Sequence, residues 1–193
     1  MAGDLVGRLL VRRLGDEVLV GRIVECEAYQ EDDPASHSFQ GLTGRNRVMF
    51  GPPGHLYVYF SYGMHHCMNV VTGREGVGSA VLLRAVEPLV GVDRMRALRG
   101  VHDPRALCSG PGRLTRAFAI DRSHDGIDLV AGDHLFLAPG RPVPPERLGV
   151  GPRVGISSAV ERPWRFFEAG SAFVSRGPRA ARPAGAGRGV RTG

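Results

Sequence analysis

Val18-Leu-Val-Gly-Arg-Ile-Val-Glu-Cys-Glu-Ala-Tyr29 contains no proline, is rich in β-branched residues and ends on an aromatic one, so it reads as a long strand. On a regular strand Ile23, Glu25, Glu27 and Tyr29 share one face, and Val20, Val24, Cys26 and Ala28 share the other. The Cys26 face reads as core. The opposite face then carries two carboxylates beside an aromatic ring. Such glutamates have two readings. They form a solvated face, or one of them is held among apolar neighbours and serves as a general base on water.

Further strands follow outward from this one. Leu56 to Ser61 and His65 to Thr72 flank Tyr62-Gly-Met64, which makes a hairpin with Tyr62 near its tip. Ser79 to Val86 is an apolar strand that contains one cation, Arg84. An arginine in such a run needs an anionic partner. Glu25 and Glu27 are the candidates, either as structural partners or with Arg84 orienting a water beside Glu27. Shorter strands are expected over His134–Ala138, Arg153–Ser157 and Arg165–Glu168.

Helices are fewer. Asp4 can cap a short one with Leu5, Val6, Leu9 and Leu10 on one side, and Pro88 can open another with Leu89, Val92, Met95 and Leu98. A third, with Leu114, Ala117 and Phe118, follows Ser109-Gly-Pro-Gly112. Gln30 to Arg47, with His37, Thr43, Arg45 and Asn46, reads as an ordered loop. The expected class is α+β: a single domain built on a curved, mostly antiparallel, barrel-like β-sheet with a few flanking helices and a protruding β-hairpin.

Composition sets the outer limits. The chain has 193 residues, 42% of them hydrophobic and 23% charged, which suits one domain with a true core. All 25 residues counted as Lys+Arg are arginine. The absence of lysine excludes Schiff-base, phosphate-loop and acyl-transfer lysines. Four arginines and no acid lie between Gly177 and Gly193, which leaves 21 cations against 19 acids in the rest of the chain. Overall basicity therefore does not by itself argue for nucleic acid. The Gly/Ala/Pro/Arg-rich stretch 177–193 is expected to be a disordered tail, either simply solvated or weakly attractive to phosphate, behind a domain spanning 1–176. Asp4 and Arg8 interrupt any signal-peptide pattern, and His55, Asn69 and Pro52-Pro53 interrupt the uncharged run Val48–Gly73, so neither export nor a membrane span is expected. Cys26, Cys67 and Cys108 are odd in number and widely spaced, as in reduced cytoplasmic proteins.

Chemistry-bearing residues concentrate early. All four tyrosines, Tyr29, Tyr57, Tyr59 and Tyr62, precede Gly63. Beside glutamate, histidine and arginine they suggest a slot for a planar ligand, although plain sheet packing also uses tyrosine. Met64-His-His-Cys67 invites a metal reading, but no second pair completes a site, so no metal is expected. Ser109-Gly-Pro-Gly112 is either a phosphate-binding helix start or a tight loop and cap. No nucleotide-binding or Ser-His-Asp pattern is present, and no cofactor is expected.

Several of these segments together resemble the alkyladenine (3-methyladenine) DNA glycosylase family. They are Gly21-Arg-Ile-Val-Glu-Cys-Glu-Ala-Tyr29, Ala35-Ser-His-Ser38, Thr43-Gly-Arg-Asn46, Leu56-Tyr-Val-Tyr-Phe-Ser-Tyr-Gly-Met64, Cys67-Met-Asn69, Val81-Leu-Leu-Arg-Ala-Val-Glu-Pro88, Leu107-Cys-Ser-Gly-Pro-Gly112, Arg153-Val-Gly-Ile156 and Pro163-Trp-Arg-Phe166. They run in order from Leu5 to about Ser175. The resemblance implies a monofunctional DNA glycosylase that flips an alkylated or deaminated purine out of duplex DNA, hydrolyses the N-glycosidic bond and leaves an abasic site for base excision repair. It implies catalytic roles for Glu27 as general base and for Arg84 and the backbone carbonyl of Val154 as holders of the water. Tyr29 would stack on one face of the base, with His37 and Tyr59 on the other. Asn69 would exclude the 2-amino group of guanine. Tyr62 would wedge into the minor groove, with Met64 and His65 alongside. The implied partner is damaged double-stranded DNA, met by a monomer. One departure is the histidine pair at 65 and 66, where the family often has aromatic residues.

Two other classes compete. A noncatalytic nucleic-acid-binding module on a related sheet would have no use for Glu27. A nucleotide transferase would need a cofactor loop, and none is found.

Overall fold

The computed structural model describes residues 2–61 and 63–177. Tyr62, and the expected tail beyond Gly177, lie outside the described residues.

The first element, α1 (Ala2–Leu5), is a single turn. Leu9 and Leu10, expected to continue it, instead open β1 (Leu9–Leu14). Gly7 makes the break: it takes φ +96°, and a Cβ there would lie 2.4 Å from the Arg141 carbonyl oxygen. The predicted long strand is β2 (Glu17–Tyr29), and the predicted hairpin is β3 (Leu56–Ser61) with β4 (His65–Val71). The Arg84 strand, β5 (Ala80–Val90), runs four residues beyond its expected end. Pro88 therefore lies in a strand and not at a helix start. It sits at a register shift against Val20 and Gly21, where its missing N–H interrupts an already irregular ladder. Helix α2 (Val92–Arg99) begins only after Gly91, which takes φ +71°.

Two short helices follow, α3 (Pro104–Leu107) and α4 (Pro111–Ala117), then β6 (Leu135–Ala138), β7 (Leu148–Gly151) and β8 (Arg165–Glu168). The expected strand Arg153–Ser157 is instead loop, and the strand lies just before it as β7. The Arg153 side chain and the Val154 backbone point to groups inside the protein rather than to a neighbouring strand, and Gly155 turns the chain at φ +77°.

Among the described residues the strands make one antiparallel sheet in the order β3-β4-β5-β2-β1-β6. β2 is its spine. One edge pairs with β5 from Val20 to Tyr29; the other pairs with β1 up to Arg22 and then with β8 from Glu25 to Glu27. β7 pairs with the outer side of β8. The β3–β4 hairpin reaches past the sheet: only Asn69–Val71 of β4 pairs with β5, while Tyr59–Ser61 pairs with His65–Cys67 beyond that ladder.

The β2–β5 ladder shifts register on both sides of Glu25. This bulge corrects the simple alternation. Ile23, which alternation puts with the glutamates, packs in the main core with Cys26, and Val24 is buried outside that cluster. Glu25 and Glu27 keep a common side. The same core takes in Met95, Leu107, Leu114 and Phe118 from the helical segment, so the helices cover one face of the sheet.

The helical cover sits close to β2 at Gly21, where a Cβ would lie 2.6 Å from Val86 Cγ2 and 3.0 Å from Phe118 Cζ. Gly21→Ala should therefore cost about 1–3 kcal/mol through overpacking. Urea unfolding is the measurement, and the midpoint should fall with the slope unchanged.

Candidate active site

Glu27 and Glu25 come from the bulged centre of β2, and Arg84 from the facing stretch of β5. Both glutamates are fully buried. Arg84 meets them together: its Nε donates to Glu25 Oε1 at 3.2 Å, and its Nη1 reaches Glu27 Oε2 at 3.4 Å. The same Nη1 lies 3.3 Å from the Val154 carbonyl oxygen. The Val154 N–H donates to Glu27 Oε1 at 2.7 Å, and the Tyr29 hydroxyl donates to Glu27 Oε2 at 2.9 Å. Glu27, Arg84 and Val154, predicted from three distant segments, thus converge on one point.

Burial pushes the Glu27 carboxyl above the usual glutamate range, and nearby Glu25 adds to this. Arg84, the Val154 N–H and the Tyr29 hydroxyl oppose the rise, since each favours the ionised form. The Tyr29 phenol is pushed upward too, by burial first and then by Glu27, so it stays a donor. A carboxylate whose proton affinity is raised in this way is a stronger base than an ordinary glutamate.

Beside this point opens a cavity of about 580 Å³, within the range of small-ligand sites. Tyr29, His37, Tyr59, Asn69 and Arg84 all line it. Tyr29 ends β2 and Tyr59 lies in β3, with β4 and β5 between them, so the curvature of the sheet gathers them around one hollow. His37 stands edge-on to Tyr59 with ring centroids 4.4 Å apart, and its Nδ1 is 3.0 Å from the Tyr57 hydroxyl. Burial, and then Arg45, lower the His37 pKa, which keeps the imidazole neutral at pH 7. Asn69 is held by a bond from its Nδ2 to the Tyr57 carbonyl at 3.1 Å.

The loop carrying His37 is ordered by Asn46. Its Oδ1 accepts from the Thr43 N–H at 2.6 Å and the Thr43 hydroxyl at 2.9 Å; its Nδ2 donates to the carbonyls of His37 and Gly41. The motif Thr43-Gly-Arg-Asn46 is thus a clasp for His37. Met64 and His65 are exposed at the end of the hairpin, outside the cavity, and Tyr62 between them and Ser61 lies outside the described residues.

A second layer around the site is not foreshadowed by the sequence. Arg153 and Asp33, both fully buried, form a two-pronged ion pair, and Arg153 Nη1 also donates to the Ala28 carbonyl at 2.9 Å. The Arg153 guanidinium lies 4.6 Å from the Tyr29 ring centroid and 5.3 Å from that of Trp164. It therefore backs the tyrosine that lines the cavity. Arg165 and Ser175 join the Glu25 side of the cluster. The segment Arg153-Val-Gly-Ile156 is visible as a motif; only the partnership of its arginine with Asp33, 120 positions away, is not.

Ser109-Gly-Pro-Gly112 leads into α4 and seats it on the hairpin: Gly112 packs on His65, and Thr115 Oγ1 donates to the His66 carbonyl at 2.8 Å. Among the described residues no group of three His, Cys, Asp or Glu is placed to hold a metal ion, and no helix is long and apolar enough to cross a membrane. The three cysteines are free and buried.

A family model described as Methylpurine-DNA glycosylase (MPG) matches residues 1–172. The chain belongs to the methylpurine-DNA glycosylase family. It is accordingly a DNA glycosylase, a hydrolase of N-glycosyl bonds that serves DNA repair. Among its relatives is a protein of Methanoculleus marisnigri, 53% identical over 179 residues that cover 91% of this chain and 92% of that one. Another, of Carboxydothermus hydrogenoformans, is 48% identical over 176 residues with the same coverage. A third, of Rhizobium meliloti, is 53% identical over 177 residues, covering 91% and 90%. All three carry the name "Putative 3-methyladenine DNA glycosylase".

Within this glycosylase the Asp33–Arg153 pair should behave as a buried ion pair whose disruption strands a charge. Asp33→Ala is expected to cost about 3–5 kcal/mol. The double variant with Arg153→Met should recover part of that loss, measured as a double-mutant cycle in urea unfolding.

Proposed function

We propose that the protein removes alkylated or deaminated purines, 3-methyladenine among them, from duplex DNA by a Glu27-activated water. The observation that carries this reading is the convergence of the Glu27 carboxylate, Arg84 Nη1 and the Val154 carbonyl beside a cavity walled by tyrosine and histidine. The names of the relatives point to the same substrate.

A base stacked within a duplex cannot reach a buried carboxylate, so the target nucleotide must swing out, at a cost of a few kcal/mol. For lesions that stack or pair poorly that cost is smaller. The flipped base enters between Tyr29 on one side and His37 and Tyr59 on the other, and Tyr62 fills the gap it leaves, with Met64 and His65 along the minor groove. Asn69, fixed by its bond to Tyr57, crowds a 2-amino group and disfavours guanine. As the N-glycosidic bond lengthens, positive charge grows on the sugar, as in other glycoside cleavages. The nearby Glu27 carboxylate favours that charge. Arg84 and the Val154 carbonyl hold the water, Glu27 takes its proton, and the oxygen bonds to C1′ while the base leaves with the bonding electrons. The protein works as a monomer in the cytoplasm, at the nucleoid.

Glu27→Gln keeps the shape but removes the base. Single-turnover excision should fall ~10²-fold or more while binding to lesion duplex persists. In the wild type, excision should decline as pH falls through a Glu27 pKa that lies above the ordinary range, because the protonated form cannot accept a proton; the glutamine variant should lack this acidic limb. Near-normal excision by the folded variant would reject Glu27 as the base, and binding without excision by the wild type across a panel of lesions would favour a noncatalytic module.

A second expectation follows from composition. Strand-cutting glycosylases attack C1′ with an amine and form an imine, and arginine stays protonated and cannot do this. The chain has no lysine and its terminal amine is not an expected cavity group, so borohydride added during turnover should trap no covalent protein–DNA adduct, and the product strand should stay intact until alkali is added. A trapped adduct would overturn the hydrolytic reading.

A further inference from the structure

The segment after β8 returns to the catalytic cluster. Ser175 is buried, and all of its polar groups are engaged there. Its N–H donates to Glu25 Oε2 at 2.7 Å, and its hydroxyl donates to Glu25 Oε1 at 2.9 Å. The same hydroxyl oxygen accepts from Arg84 Nη2 at 3.3 Å, and its carbonyl accepts from Arg165 Nη2 at 3.4 Å. Arg165 Nε in turn donates to Glu25 Oε1 at 2.6 Å. A hydroxyl has one proton to give and two lone pairs, so giving to Glu25 while accepting from Arg84 satisfies it without conflict.

Two residues on, Gly177 presses on the same site. A Cβ there would lie 2.6 Å from Val154 Cγ2 and 2.9 Å from Arg165 Nη1. The segment thus touches Glu25, Arg84, Arg165 and Val154 within three residues, and Ser175 and Gly177 both lie past the last residue matched by the family model.

We propose that Ser175, acting with Glu25 and Arg165, is a positioning residue that aims the Arg84 guanidinium at Glu27 and the Val154 carbonyl, so that the segment behind β8 completes the active site. The proposal rests on Glu27 being the base and deepens that reading. The geometry gives it a mechanism. Arg84 has its Nε fixed by Glu25 and its Nη2 by Ser175, and a planar guanidinium held at two corners has its third nitrogen, Nη1, fixed in direction. Nη1 is the atom that faces Glu27 and Val154. Without the Ser175 hydroxyl, Arg84 keeps only one fixed corner and can pivot away from Glu27.

This predicts an effect that packing alone would not produce. Arg84 favours the ionised form of Glu27, so a loosened Arg84 leaves Glu27 harder to ionise. Glu25 also faces Glu27 and raises its pKa, so neutralising Glu25 acts in the opposite direction. In single-turnover excision of hypoxanthine from duplex DNA, Ser175→Ala should slow the plateau rate about tenfold, the scale of one hydrogen bond to a charged group. It should also move the acidic limb of the pH–rate profile to higher pH. Glu25→Gln, whose amide oxygen still accepts from Arg84 Nε, should move that limb to lower pH. Affinity for lesion duplex should be unchanged in Ser175→Ala. Should Ser175→Ala lose its fold, Ser175→Cys, of similar shape but a weak donor and acceptor, takes its place in the same comparison with the same expected direction. A limb and plateau that stay at wild-type values in the folded serine variant would overturn the proposal while leaving Glu27 as the base. Excision that survives Glu27→Gln would instead overturn the base assignment, and this proposal with it.

Discussion

Arg84 is a cation in the interior of a sheet, and much of the surrounding structure follows from keeping it charged there. Burying an ion costs several kcal/mol unless partners surround it. Glu25, Glu27, the Val154 carbonyl and the Ser175 hydroxyl do so from three separate parts of the chain. Two acids then face Arg84 and Arg165, so the cluster is close to balanced in charge. That balance opposes the upward push that burial gives the Glu27 carboxyl. The bulge that shifts register on both sides of Glu25, and the departure of the Arg153 segment from strand geometry, are the local adjustments that allow the partners to meet.

A second buried pair repeats the pattern one layer further out. Asp33 and Arg153 lock the start of the long loop to the end of β2 through the Ala28 carbonyl. The guanidinium then lies against Tyr29 from behind. Tyr29 thereby has its ring seated by one ion pair and its hydroxyl committed to Glu27. The wall of the cavity and the carboxylate beside it are coupled through a single side chain.

The sheet and the residue types gathered at the candidate site are legible in the sequence because local pattern carries them. Strand length, the tyrosine cluster and an arginine inside an apolar run are local signals that raise Glu25, Glu27, Arg84 and the tyrosines as candidates; the choice of Glu27 as base and the roles of Tyr29 and Tyr59 come from the family resemblance. What is not legible is non-local or irregular. Alternation along β2 cannot foresee a bulge, so it puts Ile23 on the wrong face. Leu9 and Leu10 suit a helix as well as a strand, and only the crowding at Gly7 decides between them. Pro88 is as good a helix opener as any proline, and its place in a strand depends on what Gly21 does opposite it. Asp33 sits in a polar loop, where an aspartate is ordinary until its partner is known. Ser175 gives no signal, since nothing local distinguishes a serine that closes an ion cluster from one in a loop.

The division of labour within the fold follows from the same physics. Glu27 lies on β2 where the backbone is paired on both edges, by β5 and by β8, Arg84 sits at the register shift of β5 facing it, and both side chains are fully or nearly buried. In the proposed mechanism these two groups hold the water, and groups with that task belong on rigid elements. The side chains proposed to meet DNA lie elsewhere. The hairpin end carries exposed Met64 beyond the last β4–β5 pair, and His37 sits on a loop held by Asn46. β5 holds the base of the hairpin at Asn69–Val71, and α4 holds the start of β4 through the His66 carbonyl. Along β4, Asn69 is thus fixed within the sheet, while His65, seated against Gly112, leads to the exposed end of the hairpin.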